Sequence, residues 1–206
     1  MTDTSLAVRR PRDVVAVVGP DARTYLQGQL SQDVEALEVG GSAETFLLQP
    51  AGKVDAWMRV SRLADDHFLL DVEEGFGPQV AARLTRFLLR TDCTVQEVQW
   101  DLVTVIDAEA SAFSPPVGGL ALAVEWPGLV AVDLLGPSVE LPGGLAEGSS
   151  RDWEVRRIAA GIPAMGSEMD STTIPGSTGV VERSASFTKG CYTGQELVAR
   201  VNSRSA

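Results

Sequence analysis

Apolar residues recur along this chain at the two spacings that mark strands and helices. Val14-Val15-Ala16-Val17-Val18, preceded by Asp13, is a β-branched run that predicts a buried strand. Gly19-Pro20 ends it, and Pro20 suits the first turn of a helix. The spacing then predicts a helix over 21–30, with Ala22, Tyr25, Leu26 and Leu30 near one face. Apolar stretches at 44–49 and 53–60 flank Pro50-Ala51-Gly52 and predict a hairpin. A strand follows at 67–72. Val80, Leu84, Phe87 and Leu88 recur at i, i+4, i+7 and i+8, which predicts a helix over 79–90 with a buried stripe and Arg83, Arg86 and Arg90 on its solvated side. Further strands are expected at 94–98, 102–106, 120–124 and 129–135, and a helix at 152–160 capped by Ser149 or Ser150 and stopped by Gly161. Segments 108–119 and 141–150 read as loops, and 162–181 as a long loop lying over the functional site. The order of elements is that of an α+β protein with mostly antiparallel sheets and packed helices.

Composition narrows the function. The 206 residues suit one large domain or two small lobes, and 44% hydrophobic content supplies a core. A net charge of −11, from 17 basic and 28 acidic residues, argues against direct binding to nucleic acid through phosphates. Residues 1–12 are polar and basic without an apolar signal core, and no run reaches membrane-spanning length. Two cysteines and one histidine make neither a disulfide framework nor a zinc ligand set. The expectation is a cytoplasmic protein with reduced thiols, no membrane partner and no resident metal.

Candidate chemistry concentrates in 187–200, Phe-Thr-Lys-Gly-Cys-Tyr-Thr-Gly-Gln-Glu-Leu-Val-Ala-Arg. Gly190 and Gly194 can take positive φ, so the segment reads as a tight loop bringing backbone N–H groups to a ligand. Residues 195–200 read as a short helical turn whose start favours an electron-rich group. Lys189 and Cys191 are two residues apart, hence on one face of extended backbone, and an ammonium beside a thiol favours the reactive thiolate. The plainer alternative is a surface turn in which Cys191 is a small hydrophobe.

The unbroken string Lys189-Gly190-Cys191-Tyr192-x-Gly194-Gln195-Glu196, continued by Val198-Ala199-Arg200, resembles the signature of the YgfZ-type folate-binding proteins. These are relatives of the aminomethyltransferase (T-protein) of the glycine cleavage system. Two further segments match in order. Leu26-Gln27-Gly28-Gln29-Leu30-Ser31-Gln32-Asp33-Val34 is similar to a Leu-Gln-Gly-Gln-Leu-Thr-Gln-Asp-Val string, and Ile158 to Pro163 to Ile-Glu-Ala-Gly-Ile-Pro.

The resemblance implies two interleaved lobes, about 1–40 plus 110–170 and about 41–109 plus 171–206, without the C-terminal β-barrel that follows the signature in relatives. A second subunit covering the pocket in place of the barrel would make a homodimer. It implies a tetrahydrofolate derivative as cofactor and iron–sulfur proteins as clients. Cys191 is then the functional thiol and Lys189 its tuner. Gly190, Tyr192, Gly194, Gln195, Glu196, Arg200, Gln29, Asp33 and Asp55 are the cofactor-binding candidates. The implied function is support of iron–sulfur cluster assembly or repair and of tRNA modification, more accessory than enzymatic.

Two departures keep alternatives open. Ala159 stands where folate-dependent members carry a carboxylate that accepts hydrogen bonds from the pterin, and alanine accepts none. Aminomethyltransferases carry adjacent aspartates near 52–60. The best register puts Ala56 and Trp57 there, and a one-residue slip brings Asp55 in. The alternatives are therefore a tetrahydrofolate-dependent aminomethyltransferase and a degenerate module that has lost folate.

Overall fold

The computed structural model describes the backbone of residues 5–202 and the side chains as far as Val198. In chain order the elements are β1 (Leu6–Arg10), β2 (Arg12–Val18), α1 (Ala22–Gln29), β3 (Ser42–Leu48), β4 (Val54–Ala64), β5 (His67–Glu73), α2 (Gly77–Thr85), β6 (Thr94–Val98), β7 (Asp101–Ile106), β8 (Leu120–Trp126), β9 (Leu129–Gly136), β10 (Ala146–Gly148), α3 (Ser150–Ala160), α4 (Val181–Ser184) and α5 (Gln195–Asn202). Short 3₁₀ turns occur at Ala110–Ala112 and Pro175–Ser177. The chain is α+β, with two mostly antiparallel five-stranded sheets and a few helices.

It divides into two compact units, residues 1–12 with 99–163 and residues 13–98 with 164–206. These boundaries differ from the expected ones at 40, 109 and 170. Hydrogen bonding explains the difference: β2 pairs with β6 throughout Val14–Val18, which ties the 13–40 segment to 41–98.

The first unit carries the sheet β10-β1-β7-β9-β8. One sheet face buries Ala7, Val103, Val105, Val132 and Leu134 under Phe113, Leu141 and Leu145. The other faces α3, where Arg10 lies 3.7 Å over the Trp153 ring and 3.6 Å from buried Asp133. Thr104 donates to Asp133 at 2.5 Å, so the buried carboxylate has both a cation and a hydroxyl. β1 was not expected. Its arginines made 1–12 look like a polar tail, yet Ala7 and Val8 are fully buried, Arg9 reaches Val139 C=O, and Arg10 turns inward to Thr104 Oγ1 and Asp133. The short β10 lies within the expected 141–150 loop, held by parallel pairing to β1. Ser149 is the α3 cap: it accepts from the Asp152 N–H while Asp152 accepts from its own, and Gly161 closes the helix at φ 75°.

The second unit carries the sheet β3-β4-β5-β2-β6. Phe46, Leu47, Met58, Phe68, Leu69 and Leu70 form its centre with Leu26 of α1 and Leu84 of α2. The α2 N-terminus is pinned by Asp13, which accepts from the N–H groups of Gly75 and Gly77, each at 2.8 Å. α2 ends at Thr85, five residues before the expected end. Phe87, on the continuation of the stripe, and Leu89 beyond it are exposed. The 164–184 segment is ordered by its own turns. Glu168 accepts from Ala164 N, and Asp170 accepts from Thr172 and Thr173. It packs on β4 through a Val54 N–H to Thr173 C=O bond of 3.0 Å. No helix among the described residues is long and apolar enough to cross a membrane.

Candidate functional site

The signature segment lies against two other segments of its own unit. The first is the end of α1. Thr193 N–H donates to Gly28 C=O at 3.2 Å, and Ser186 N–H to Ser31 C=O at 2.9 Å. Buried Ser31 donates to Ser184 C=O and its hydroxyl accepts from Phe46 N–H. Gln32 Nε2 reaches Arg183 C=O at 2.9 Å, and Trp57 Nε1 donates to Ser184 Oγ at 2.8 Å. Two segments 150 residues apart in sequence are thus joined by backbone and short polar side chains, a reason for the small and amide residues that fill both.

The second is the turn joining β3 and β4. Gly52 adopts φ 81° and Gly194 φ 79°. A Cβ on Gly194 would meet Gln49 O at 2.5 Å and Leu48 Cβ at 2.8 Å, and one on Gly52 would meet Leu197 Cβ at 2.5 Å. Only glycine permits this approach at either position. Gly190 is different: it is not left-handed, and a Cβ there meets nothing within 4 Å. The expected pair of hinges is therefore a single one, at Gly194.

Lys189 is a clamp. Its Nζ donates to three carbonyls at the end of α1, Gln27 at 2.6 Å, Leu30 at 2.8 Å and Gln32 at 2.9 Å. An ammonium has three N–H donors, and all are used on the negative end of the helix. Burial pushes its pKa down to about 8, against the opposing charges of Asp33 and Glu35. The sequence suggests that this amine tunes the Cys191 thiol, whereas the hydrogen bonds of its Nζ run to α1. The amine is committed to α1, with the Tyr192 ring 5.1 Å away.

Cys191 itself is exposed. Its neighbour Tyr192 is buried, its phenol pushed up to about 12 by burial, and its N–H donates to Gln195 Oε1 at 3.1 Å. Glu196 is exposed at the start of α5. The side chain of Arg200 lies outside the described residues.

The other predicted residues separate. Asp33 accepts from Gln27 Nε2 at 3.0 Å and Ala36 N–H at 3.3 Å, so it shapes the turn after α1. Gln29 accepts from Arg83 at 3.3 Å. Asp55 lines a cavity of about 280 Å³ with Leu47, Gln79, Val80, Ala82, Arg83 and Arg86, and no signature residue contributes to that lining. Arg83 lies 3.4 Å from Asp55 and 4.0 Å over the Phe87 ring. Burial raises the Asp55 pKa, opposed by the Arg83 charge and a hydrogen bond from Gln49. Arg83 is mostly covered, which corrects its assignment to the solvated side of the helix. The spacing of Gln79, Arg83 and Arg86 at i, i+4 and i+7 was visible in the sequence, but helical periodicity alone does not reveal a polar stripe turned onto a strand. In the first unit Ala159 is exposed on α3, beside exposed Val155 and Ile158.

No family model matches the sequence. Over 195 residues it is 30% identical to an uncharacterized protein of Haemophilus influenzae, covering 94% of this chain and 67% of the other. It is 27% identical over 216 residues to the tRNA-modifying protein YgfZ of Klebsiella pneumoniae, covering 94% and 66%. With the mitochondrial iron-sulfur cluster assembly factor IBA57 homolog of Pyricularia oryzae it shares 26% over 210 residues, 95% of this chain and 53% of that one. The chain spans between about half and two thirds of the length of these relatives. Its fold matches the glycine cleavage system aminomethyltransferase T of Bartonella henselae with a TM-score of 0.73 over 98% of this chain and 64% of that one, at 17% identity. On the relatives, the fold and the clamped signature loop together, the chain belongs to the YgfZ/aminomethyltransferase-like superfamily.

Proposed function

We propose that this chain is a cytoplasmic folate-binding accessory protein that supports iron–sulfur cluster assembly or repair, and through it tRNA modification, with Cys191 as its functional thiol. The observation that carries the reading is the exposure of Cys191 in a loop that is otherwise tied down on both sides, by Lys189 and by Gly194. A buried structural cysteine needs no such mounting, whereas a thiol that meets a partner needs to be both accessible and fixed. The names of the relatives, a tRNA-modifying protein and an iron–sulfur assembly factor, supply the biological direction. Clusters take about four protein ligands, so one thiol acts only together with a client protein or a second copy of the chain.

A tetrahydrofolate derivative is the ligand in this reading, with Gly190, Tyr192, Gly194, Gln195, Glu196 and Arg200 of the signature and Asp55, Gln29 and Asp33 as its proposed contacts. Tyr192 and Gln195 are engaged with their own loop, so they would act by shaping it. A second reading, a module without folate affinity, is favoured by Ala159, which stands where the resemblance implies a carboxylate acceptor for the pterin. Calorimetric titration of the wild type and of Ala159→Glu with 5-formyltetrahydrofolate separates the two. Saturable binding by the wild type supports the first. Binding gained only in the variant supports the second.

A further inference from the structure

The cavity between α2 and the β3–β4 hairpin belongs to neither the signature loop nor α3. Its apolar lining comes from Leu47, Val80 and Ala82, and its polar lining from Asp55, Gln79, Arg83 and Arg86. The partners of these groups are unequal. Arg83 is spent: it pairs with Asp55, donates to Gln29 Oε1 at 3.3 Å and Leu48 C=O at 3.4 Å, and stacks on Phe87. Gln79 Nε2 donates to the Asp55 carbonyl at 2.9 Å. The Arg86 guanidinium is exposed and has no hydrogen-bond or ion-pair partner among the described residues. One carboxylate against two guanidiniums leaves the lining one positive charge in excess, in a chain whose net charge is −11.

We infer that this cavity binds a small organic carboxylate with a flat or aliphatic body, the carboxylate on the Arg86 fork and the body on Leu47, Val80 and Ala82. A guanidinium presents two parallel N–H donors that match a carboxylate. The volume approaches the lower end of small-molecule sites, which suits one ring or a short chain. Asp55 selects within this class. Its carboxylate accepts from a ligand hydroxyl and repels a second anionic group. This inference uses no signature residue; it shares Asp55 with the proposed folate contacts, and Arg86, which carries it, is not one of them.

The test is titration of the full chain with 4-hydroxybenzoate, benzoate and inorganic phosphate, followed by amide chemical shifts and calorimetry. Saturable binding of 4-hydroxybenzoate is expected, with shifts at Leu47, Val80 and Ala82, and weaker binding of benzoate. Arg86→Gln, an exposed substitution that leaves the fold intact, is expected to weaken 4-hydroxybenzoate about tenfold or more. Asp55→Asn is expected to narrow the difference between the two benzoates. Unsaturable shifts, shifts elsewhere, unchanged affinity in Arg86→Gln, or phosphate binding as tightly as 4-hydroxybenzoate each overturn the assignment. Arg86 is not among the proposed folate contacts, so the Arg86→Gln result fails or stands apart from the titration with 5-formyltetrahydrofolate.

Discussion

Gly194 rests on Gly52: a side chain on the first would come within 3.2 Å of the Cα of the second, and a side chain on the second within 3.1 Å of the carbonyl oxygen of the first. The signature loop and the hairpin turn are therefore backbone against backbone.

Gly194→Ala carries two penalties, the left-handed backbone at φ 79° and the approach to Gln49 O. The first alone costs about 1–2 kcal/mol, and the second involves backbone that does not swing aside. Urea unfolding is expected to show a loss of at least about 2 kcal/mol. Gly190→Ala, with open space and no left-handed φ, is expected to stay within about 0.5 kcal/mol of the wild type.

Lys189→Met leaves three carbonyls at the end of α1 without their donor. Each unsatisfied buried acceptor costs about 1–3 kcal/mol, less where water replaces the amine. The expected signature is local. Hydrogen exchange should accelerate at Leu30 and Thr193 before it does in β4. Cys191 should remain reactive to a thiol reagent in the folded variant, because the amine is spent on α1. A thiol that goes silent while the fold persists would restore the tuning role.

Ser149→Ala removes a capping box from α3 and is expected to cost about 1 kcal/mol, whereas Ser150→Ala should cost little. Equal losses would contradict the cap assignment.

Both tyrosines of the chain, Tyr25 and Tyr192, are pushed up to about 12 by burial, and Tyr25 donates to Leu84 C=O at 2.6 Å. A phenol in the unfolded chain ionises near pH 10. Between about 10 and 12 the unfolded state has lost its protons while the folded state keeps them. Stability conferred by these phenols is thus complete below pH 10 and lost as pH rises toward 12. Absorbance at about 295 nm should show no phenolate below pH 11 in the folded protein, then a rise coincident with unfolding. A free titration near 10 with the fold intact would contradict their burial.

Local signals carried far. The β-branched run at 13–18, the Pro50-Ala51-Gly52 turn and the Gly161 stop each act within a few residues, so each could be read from the chain. β1 could not, because Arg9 and Arg10 disguise a strand whose apolar content is only Leu6, Ala7 and Val8. The site was legible in parts. The signature and the matching segment at 26–34 marked where to look, but the partner of Lys189 lies some 160 residues away, and no local pattern distinguishes an amine on a helix end from one beside a thiol. Arg83 failed for a similar reason: its acceptor is on a strand that helical spacing does not see.

Cys191 is proposed as a fixed, accessible thiol that serves iron–sulfur proteins. The direct measurement is iron–sulfur enzyme activity in cells lacking the native protein and supplied with wild type or Cys191→Ser. The predicted result is restoration by the wild type and little or none by the variant, at equal protein level and equal melting temperature, since the side chain is exposed. Full restoration by Cys191→Ser would contradict it.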